Sequence, residues 1–300
     1  MITENIKIGF IGQGWIGKHY ADDFENRAYS VVRYSLEEPY VQNKDKIKDC
    51  KIVFVAVPTP TTAKGFSYEP VKNALSNVAD GSTVIVKSTI LPGVTKQLQE
   101  QFPKLYVMHS PEFLREASAA YDASFPDRNI IGIPESSNEY HTRAEQVMAI
   151  LPKAKYQVIV PALEAEMTKY FGNCFLYAKV LMMNAFHDIA TTAGADWELI
   201  RDAMINDERI GKSHTEVLHY SGHAKEKEGV KRGAGGHCFI KDFEALRSFH
   251  SQIIGKDQAY DMLTKMVEYN NHLLISSEKD LDLLEGVYGQ NVIHKKEPLQ

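Results

Sequence analysis

Cysteine is scarce in this chain: Cys50, Cys174 and Cys238 are the three in 300 residues. None forms a CxxC pair, so neither a zinc site nor a disulfide framework is expected. An odd, sparse set suits a reducing compartment, and a cytoplasmic protein is the expectation. No apolar run approaches the roughly 18 residues that a membrane span needs. The start, Met1-Ile2-Thr3-Glu4-Asn5, runs straight into a strand pattern rather than a signal peptide. Positive charge is also short, with a net charge of −5, which argues against a nucleic-acid partner. Low-complexity linkers and internal repeats are lacking too. With 44% hydrophobic and 24% charged residues, the chain can bury ordinary cores.

What is there alternates. Residues 6–11, 30–34, 52–57, 83–86, 105–108 and 129–133 are short β-branched or apolar runs bounded by glycine, proline or polar residues. Helical stretches lie between several of them. Strand and helix in alternation predict an α/β fold, an N-terminal Rossmann-type doubly wound sheet. After Pro161 the period changes. Leu163, Met167, Tyr170, Cys174, Ala178, Leu181, Ala185 and Ile189 recur at helical spacing. Gly194 stops this long helix, and Asp196 caps the next. The expectation is a dinucleotide-binding domain over 1–160. An α-helical central domain built on the long helix follows over 161–300.

Gly12-Gln13-Gly14-Trp15-Ile16-Gly17 is a GxGxxG. Alone it is weak, since a plain glycine turn reads the same. Here it follows a strand and opens an amphipathic stretch, which is the setting a dinucleotide site requires. Gly12 permits the tight turn, Gly14 the approach of a pyrophosphate, and Gly17 close packing of helix on strand. The second strand ends at Arg33-Tyr34-Ser35, so Ser35 stands where an acid would hold the adenosine ribose. Ser35 and Arg33 would tolerate the 2′-phosphate of NADP, whereas Glu37 and Glu38 would repel it. The balance falls to NAD, with NADP as second choice.

Gly235-Gly236-His237-Cys238-Phe239-Ile240-Lys241-Asp242 carries the most chemistry. A glycine pair precedes a thiol, and a lysine and an aspartate follow within one helical turn. Lys241 and His237 would favour the thiolate, which is the nucleophile. A buried cysteine near a helix start reads equally well on this segment alone. Lys169 and Asn173 lie four apart, on one helical face.

Further motifs accompany these: Val57-Pro58-Thr59-Pro60, Lys87-Ser88-Thr89-Ile90-Leu91-Pro92-Gly93-Val94-Thr95, Ser110-Pro111-Glu112-Phe113-Leu114-Arg115-Glu116, Pro126-Asp127-Arg128, the run from Glu166 to Asn173, and Asp207-Glu208-Arg209-Ile210-Gly211. In these motifs and their order, over about residues 6–272, the chain resembles the UDP-glucose/GDP-mannose 6-dehydrogenase family. The resemblance implies four-electron oxidation of a sugar C6 alcohol to a carboxylate with two NAD, UDP-glucose being the default substrate. It implies that Cys238 forms a thiohemiacetal and then a thioester. Lys169 and Asn173 would hold the oxyanion, and Asp242 and Thr89 would organise water and protons. Glu112 would be the base for hydrolysis, with Glu116 nearer the first oxidation. Trp15, Ile16, Val57, Pro58, Thr59, Thr89, Glu116 and Lys241 would touch the cofactor. Phe113, Leu114, Arg115, Gly235 and Gly236, with Glu112, Lys169 and Asn173, would line the substrate. No metal is implied, and a homodimer is.

Two departures concern recognition. The family carries a third α/β domain over the nucleotide, and this chain is expected to be a short form without it. Glu228 to Ala234 also replaces an aromatic-glycine run. The nucleotide would then be covered by a separate protein or the other subunit, or gripped by the basic loop of Lys225, Lys227, Lys231 and Arg232. A two-electron hydroxyacid or phosphogluconate-type dehydrogenase and a non-catalytic nucleotide-binding relative are the competing readings.

Overall fold

The computed structural model describes residues 6–115, 118–220 and 230–293. The strands are β1 (Lys7–Ile11), β2 (Ser30–Tyr34), β3 (Ile52–Val55), β4 (Thr61–Thr62), β5 (Gly65–Phe66), β6 (Thr83–Val86), β7 (Tyr106–His109), β8 (Arg128–Ile133) and β9 (Tyr156–Pro161). The helices are α1 (Trp15–Asn26), α2 (Glu69–Leu75), α3 (Val94–Gln101), α4 (Ala119–Ser124), α5 (Asn138–Ile150), α6 (Ala162–Thr192), α7 (Trp197–Ile205), α8 (Gly236–Ile253), α9 (Gln258–Ser276) and α10 (Leu281–Tyr288). None of the described helices is long and apolar enough to cross a membrane.

The chain divides into two units. One comprises 1–60 and 67–169, the other 61–66 and 170–300. In the first, seven strands form one sheet in the order β2-β1-β3-β6-β7-β8-β9. All neighbours are parallel except β7 and β8. The chain leaves β1 for β2 on one side and returns to β3 on the other. That reversal opens a crevice at the carboxyl ends of β1 and β3, the ordinary dinucleotide position of such sheets. Strands this buried read as unbroken apolar runs, which is why the expected strands coincide with the observed ones to within two residues. Phe10 and Phe54 are paired in register and stacked with centroids 5.0 Å apart. Phe24 of α1 meets Phe10 edge-on at 5.4 Å, fixing α1 on the sheet.

Two features lie outside the expected pattern. β9 is an edge strand, half-exposed along its middle, and Val158-Ile159-Val160 is its one sequence signal. The hairpin of β4 and β5 has two residues a side, too short to show a period, and lies with α8 and α10 in the second unit.

The second unit is helical. Cys174, Tyr177, Val180 and Leu181 of α6 pack with Phe243 of α8 and with Val267 and Leu273 of α9. Tyr177 and Phe243 stack at 4.0 Å. Gly194 takes φ +78 just past α6, and the Asp196 carboxylate accepts from the amides of Glu198 and Leu199 to cap α7. Tyr170, Cys174 and Leu181 are buried as the helical period predicts, but Leu163 and Ile189 at its ends are exposed.

Candidate active site

The glycine turn follows β1 directly. Gly12 has φ +91, and a side chain on it would strike the carbonyl of Ala56 beyond β3. A side chain on Gly17 would strike the carbonyl of Gly12, so the helix can approach the strand only because Gly17 has none. Gly14 is the N-cap of α1, is exposed, and has open space where a side chain would be. Among the described residues no side chain caps that helix end. Its first amides therefore remain available to an anion, and a pyrophosphate fits this cradle. Trp15 is half-exposed in the first turn, with Ile16 partly covered beside it.

The neighbouring loops are tied together. Ser88 Oγ donates to the Val57 carbonyl at 2.7 Å and accepts from the Val57 amide at 2.9 Å. Thr59 Oγ1 donates to the Thr89 carbonyl at 2.7 Å, and Pro58 stands exposed between the two contacts. Beyond β6, the Glu166 carboxylate of α6 accepts from the amides of Gly93 and Thr95 and from Thr95 Oγ1. It thereby caps α3 from a distance. Burial raises its pKa in spite of these bonds.

Glu112 lies in a loop after β7, as expected, but it is buried rather than solvated. Its Oε1 accepts from Lys169 Nζ at 2.7 Å and its Oε2 from the Leu114 amide at 2.8 Å. Lys169 also donates to the Glu112 carbonyl at 2.8 Å. Lys169 is buried with its partner, so it is not the solvated lysine that a helix face usually carries. Phe113 lies under the Arg128 guanidinium at 3.7 Å and near Lys169. Arg115 is engaged with Asp122 through both its amide and its side chain. Glu116 lies outside the described residues.

Sequence reasoning left two groups here without a role. Lys87 is buried, donates to Ser110 Oγ at 3.0 Å and sits 4.3 Å from the centre of the Tyr20 ring. Burial pushes its pKa down to about 7, with Lys169 adding to the fall and Glu112 opposing it. His109 is fully buried, donates through Nδ1 to the Val86 carbonyl and is held neutral, its pKa pushed by burial to about 3. The Lys87-Ser88-Thr89 motif showed the lysine but not its depth, and His109 falls between the expected strand 105–108 and the motif that starts at Ser110.

In the second unit, Cys238 is exposed in the first turn of α8, while Cys50 and Cys174 are buried. The buried-cysteine reading of Cys238 is thereby set aside. Asp242, one turn further along α8, is fully buried. Its Oδ2 accepts from Asn173 Nδ2 at 2.7 Å and its Oδ1 from Lys241 Nζ at 2.5 Å. Cys238, Lys241 and Asp242 stand at i, i+3 and i+4 and share one helical face. Aligned peptide dipoles at a helix start favour an anion, and a thiolate is one.

The glycines before the thiol are clamped. The Asn270 amide group of α9 accepts from the Ala234 amide at 2.8 Å and donates to the Ala234 carbonyl at 3.0 Å. Lys279 Nζ donates to the Gly233 carbonyl at 2.9 Å. Asp280 Oδ2 accepts from the Gly236 amide at 2.7 Å and fills the space a Gly235 side chain would need. Gly236 itself has φ +80. Lys231 donates to the Glu278 carbonyl at 2.6 Å, and Arg232 binds Asn184 and Asp188 of α6. Both expected phosphate ligands thus have partners within the protein. Lys225 and Lys227 lie outside the described residues.

The chain thus carries a glycine turn suited to a dinucleotide on a doubly wound sheet, and a helical unit that presents a thiol. Residues 37–151 match the UDP-glucose/GDP-mannose dehydrogenase family, NAD binding domain, and residues 163–272 match the central domain of that family. The chain belongs to the UDP-glucose/GDP-mannose dehydrogenase family. It is similar to the UDP-glucose 6-dehydrogenase YwqF of Bacillus subtilis, at 31% identity over 80% of this chain and 53% of that protein. The UDP-glucose 6-dehydrogenase of Streptococcus pneumoniae is 29% identical over 88% of this chain and 73% of its own length. The chain spans about half the length of several curated relatives that it matches. Its fold is that of a UDP-glucose dehydrogenase from the hyperthermophilic archaeon Pyrobaculum islandicum. That match has a TM-score of 0.74 at 23% identity, covering 92% of this chain and 71% of that one.

Proposed function

We propose that the chain is a nucleotide-sugar 6-dehydrogenase that oxidises a sugar C6 alcohol to the carboxylate through a covalent adduct on Cys238. UDP-glucose, giving UDP-glucuronate, is the default substrate. The observation that carries this reading is the exposed Cys238 in the first turn of α8, one turn from an Asp242 held by Asn173 and Lys241. NAD, when bound, supplies the hydride acceptor for each of the two oxidations.

The residues divide the remaining work. The Cys238 thiolate adds to the C6 aldehyde carbon to give a thiohemiacetal, which keeps the aldehyde from escaping. Lys169 and Asn173 stabilise the oxygen that gains charge. An asparagine amide has two N–H groups, so Asn173 can hold Asp242 and still donate. After the second oxidation the adduct is a thioester. Glu112 takes a proton from water as it attacks, Cys238 leaves as the thiolate, and Asp242 and Thr89 orient the water. Glu116 serves the first oxidation. The glycine turn from Gly12 to Gly17 and the tied loops of Val57, Thr59 and Thr89 hold the cofactor, with 1–160 as its domain. The region from 161 onward carries the thiol and the dimer contact. NAD is preferred to NADP, because Glu37 and Glu38 are exposed just past Ser35, whose hydroxyl is turned onto the Glu37 carbonyl at 2.8 Å.

Cys238→Ser tests the reading. It should fold and lose nearly all production of sugar acid, by several orders of magnitude in rate. Cys50→Ser and Cys174→Ser should keep their activity. Acid formation by Cys238→Ser at the wild-type rate would remove the covalent mechanism.

A further inference from the structure

Glu37 and Glu38 are exposed and screened by solvent, and a more deeply seated group bears on the same choice. Arg33 is in β2, two residues before Ser35, paired in register with Phe10. Its guanidinium is largely buried. Nε donates to Glu25 Oε1 at 2.8 Å and Nη2 to Glu25 Oε2 at 2.7 Å, a two-pronged contact. Nη2 also lies 2.7 Å from Asp22 Oδ1. Nη1 reaches Gln13 Oε1, inside the glycine turn, at 3.4 Å. The cation therefore stands next to the cofactor cradle, with both acids reaching it from α1. Burial works against its charge, and the bonds from Glu25 and Asp22 more than offset that, so its pKa is raised.

An arginine near the end of β2 is what accommodates the 2′-phosphate of NADP in sheets of this kind. Here two carboxylates face one guanidinium. A phosphate arriving there would find Nε and Nη2 already spent on Glu25 and Asp22, with Asp22 also held by Lys18 Nζ at 2.8 Å. We propose that Asp22 and Glu25 lock Arg33 away from the 2′-phosphate, so that this triad, beside Glu37 and Glu38, sets the choice of NAD over NADP. This rests on the glycine turn binding a dinucleotide.

The test is binding of NADH and NADPH to the full chain without substrate, followed by cofactor fluorescence. Asp22→Asn, Glu25→Gln, the double variant, and the double variant with Arg33→Ala are compared. Unlocking should tighten NADPH relative to NADH by about tenfold, the scale of one charge-assisted hydrogen bond. Adding Arg33→Ala should abolish that gain. An equal gain with Arg33→Ala would show bare charge removal and overturn the lock. So would an unchanged ratio, or equal weakening of both cofactors, which marks a purely structural role. The single variants carry the comparison if the double variant does not fold, each with a smaller shift of the same sign. Wild-type chain that binds neither cofactor would instead overturn the dinucleotide reading, and the lock with it.

Discussion

Lys87 and Lys169 are two buried cations near one carboxylate, Glu112. The chemistry of each follows from its depth. Lys169 has its counter-ion in hand, so removing its charge leaves Glu112 buried without a partner. Lys169→Met should cost about 3–5 kcal/mol, measured by urea unfolding at neutral pH. A loss under about 1 kcal/mol would mean that water solvates Glu112. Lys87 behaves in the opposite sense. It gives up its proton near pH 7 in the folded chain and near 10.5 in the unfolded one. Between those values the unfolded state binds more protons. Stability of the wild type relative to Lys87→Met should therefore rise as pH climbs through that window. The slope approaches about 1.4 kcal/mol per pH unit, and the difference is flat below about 7. No rise across the window would show that Lys87 keeps its proton. Residue types were legible in the sequence here and depths were not. Glu112 reads as a loop carboxylate, which it is, and nothing local to it announces a lysine 57 positions away.

At the scale of elements, the first turn of α8 is set by parts far along the chain. Asn270, Lys279 and Asp280 hold Gly233 to Gly236 from α9 and the turn after it. Asn270→Ala would leave a buried amide and a buried carbonyl unpaired. It should cost about 2–5 kcal/mol by chemical unfolding and change the pH dependence of Cys238 alkylation by iodoacetamide. Unchanged alkylation with lowered stability would confine Asn270 to the core. Sequence periodicity reveals α6 and the central strands because each buries a continuous face. It misses this clamp because side chain to backbone bonds over 36 or more positions leave no local pattern. The hairpin at 61–66 is missed because two-residue strands have no period at all.

For the molecule as a whole, α6 leaves Phe171, Phe175, Met182, Phe186 and Ile189 exposed. Scattered exposed apolar residues need no explanation, but these recur along one helix and make a patch suited to a like surface. A homodimer is predicted by light scattering, and Phe171→Glu with Phe175→Glu should give a monomer. A monomeric wild type at working concentration would remove that claim. Family membership was legible because the motifs follow one another in order from the glycine turn to Cys238. The partners that Lys231 and Arg232 found within the protein were not legible, because charge alone does not say what a lysine or arginine will face. The most direct test of the covalent four-electron account is to count NADH released per sugar acid formed, over a panel of nucleotide sugars that includes UDP-glucose. Two NADH per acid, with no aldehyde accumulating, is the predicted result, and one NADH per product would contradict it.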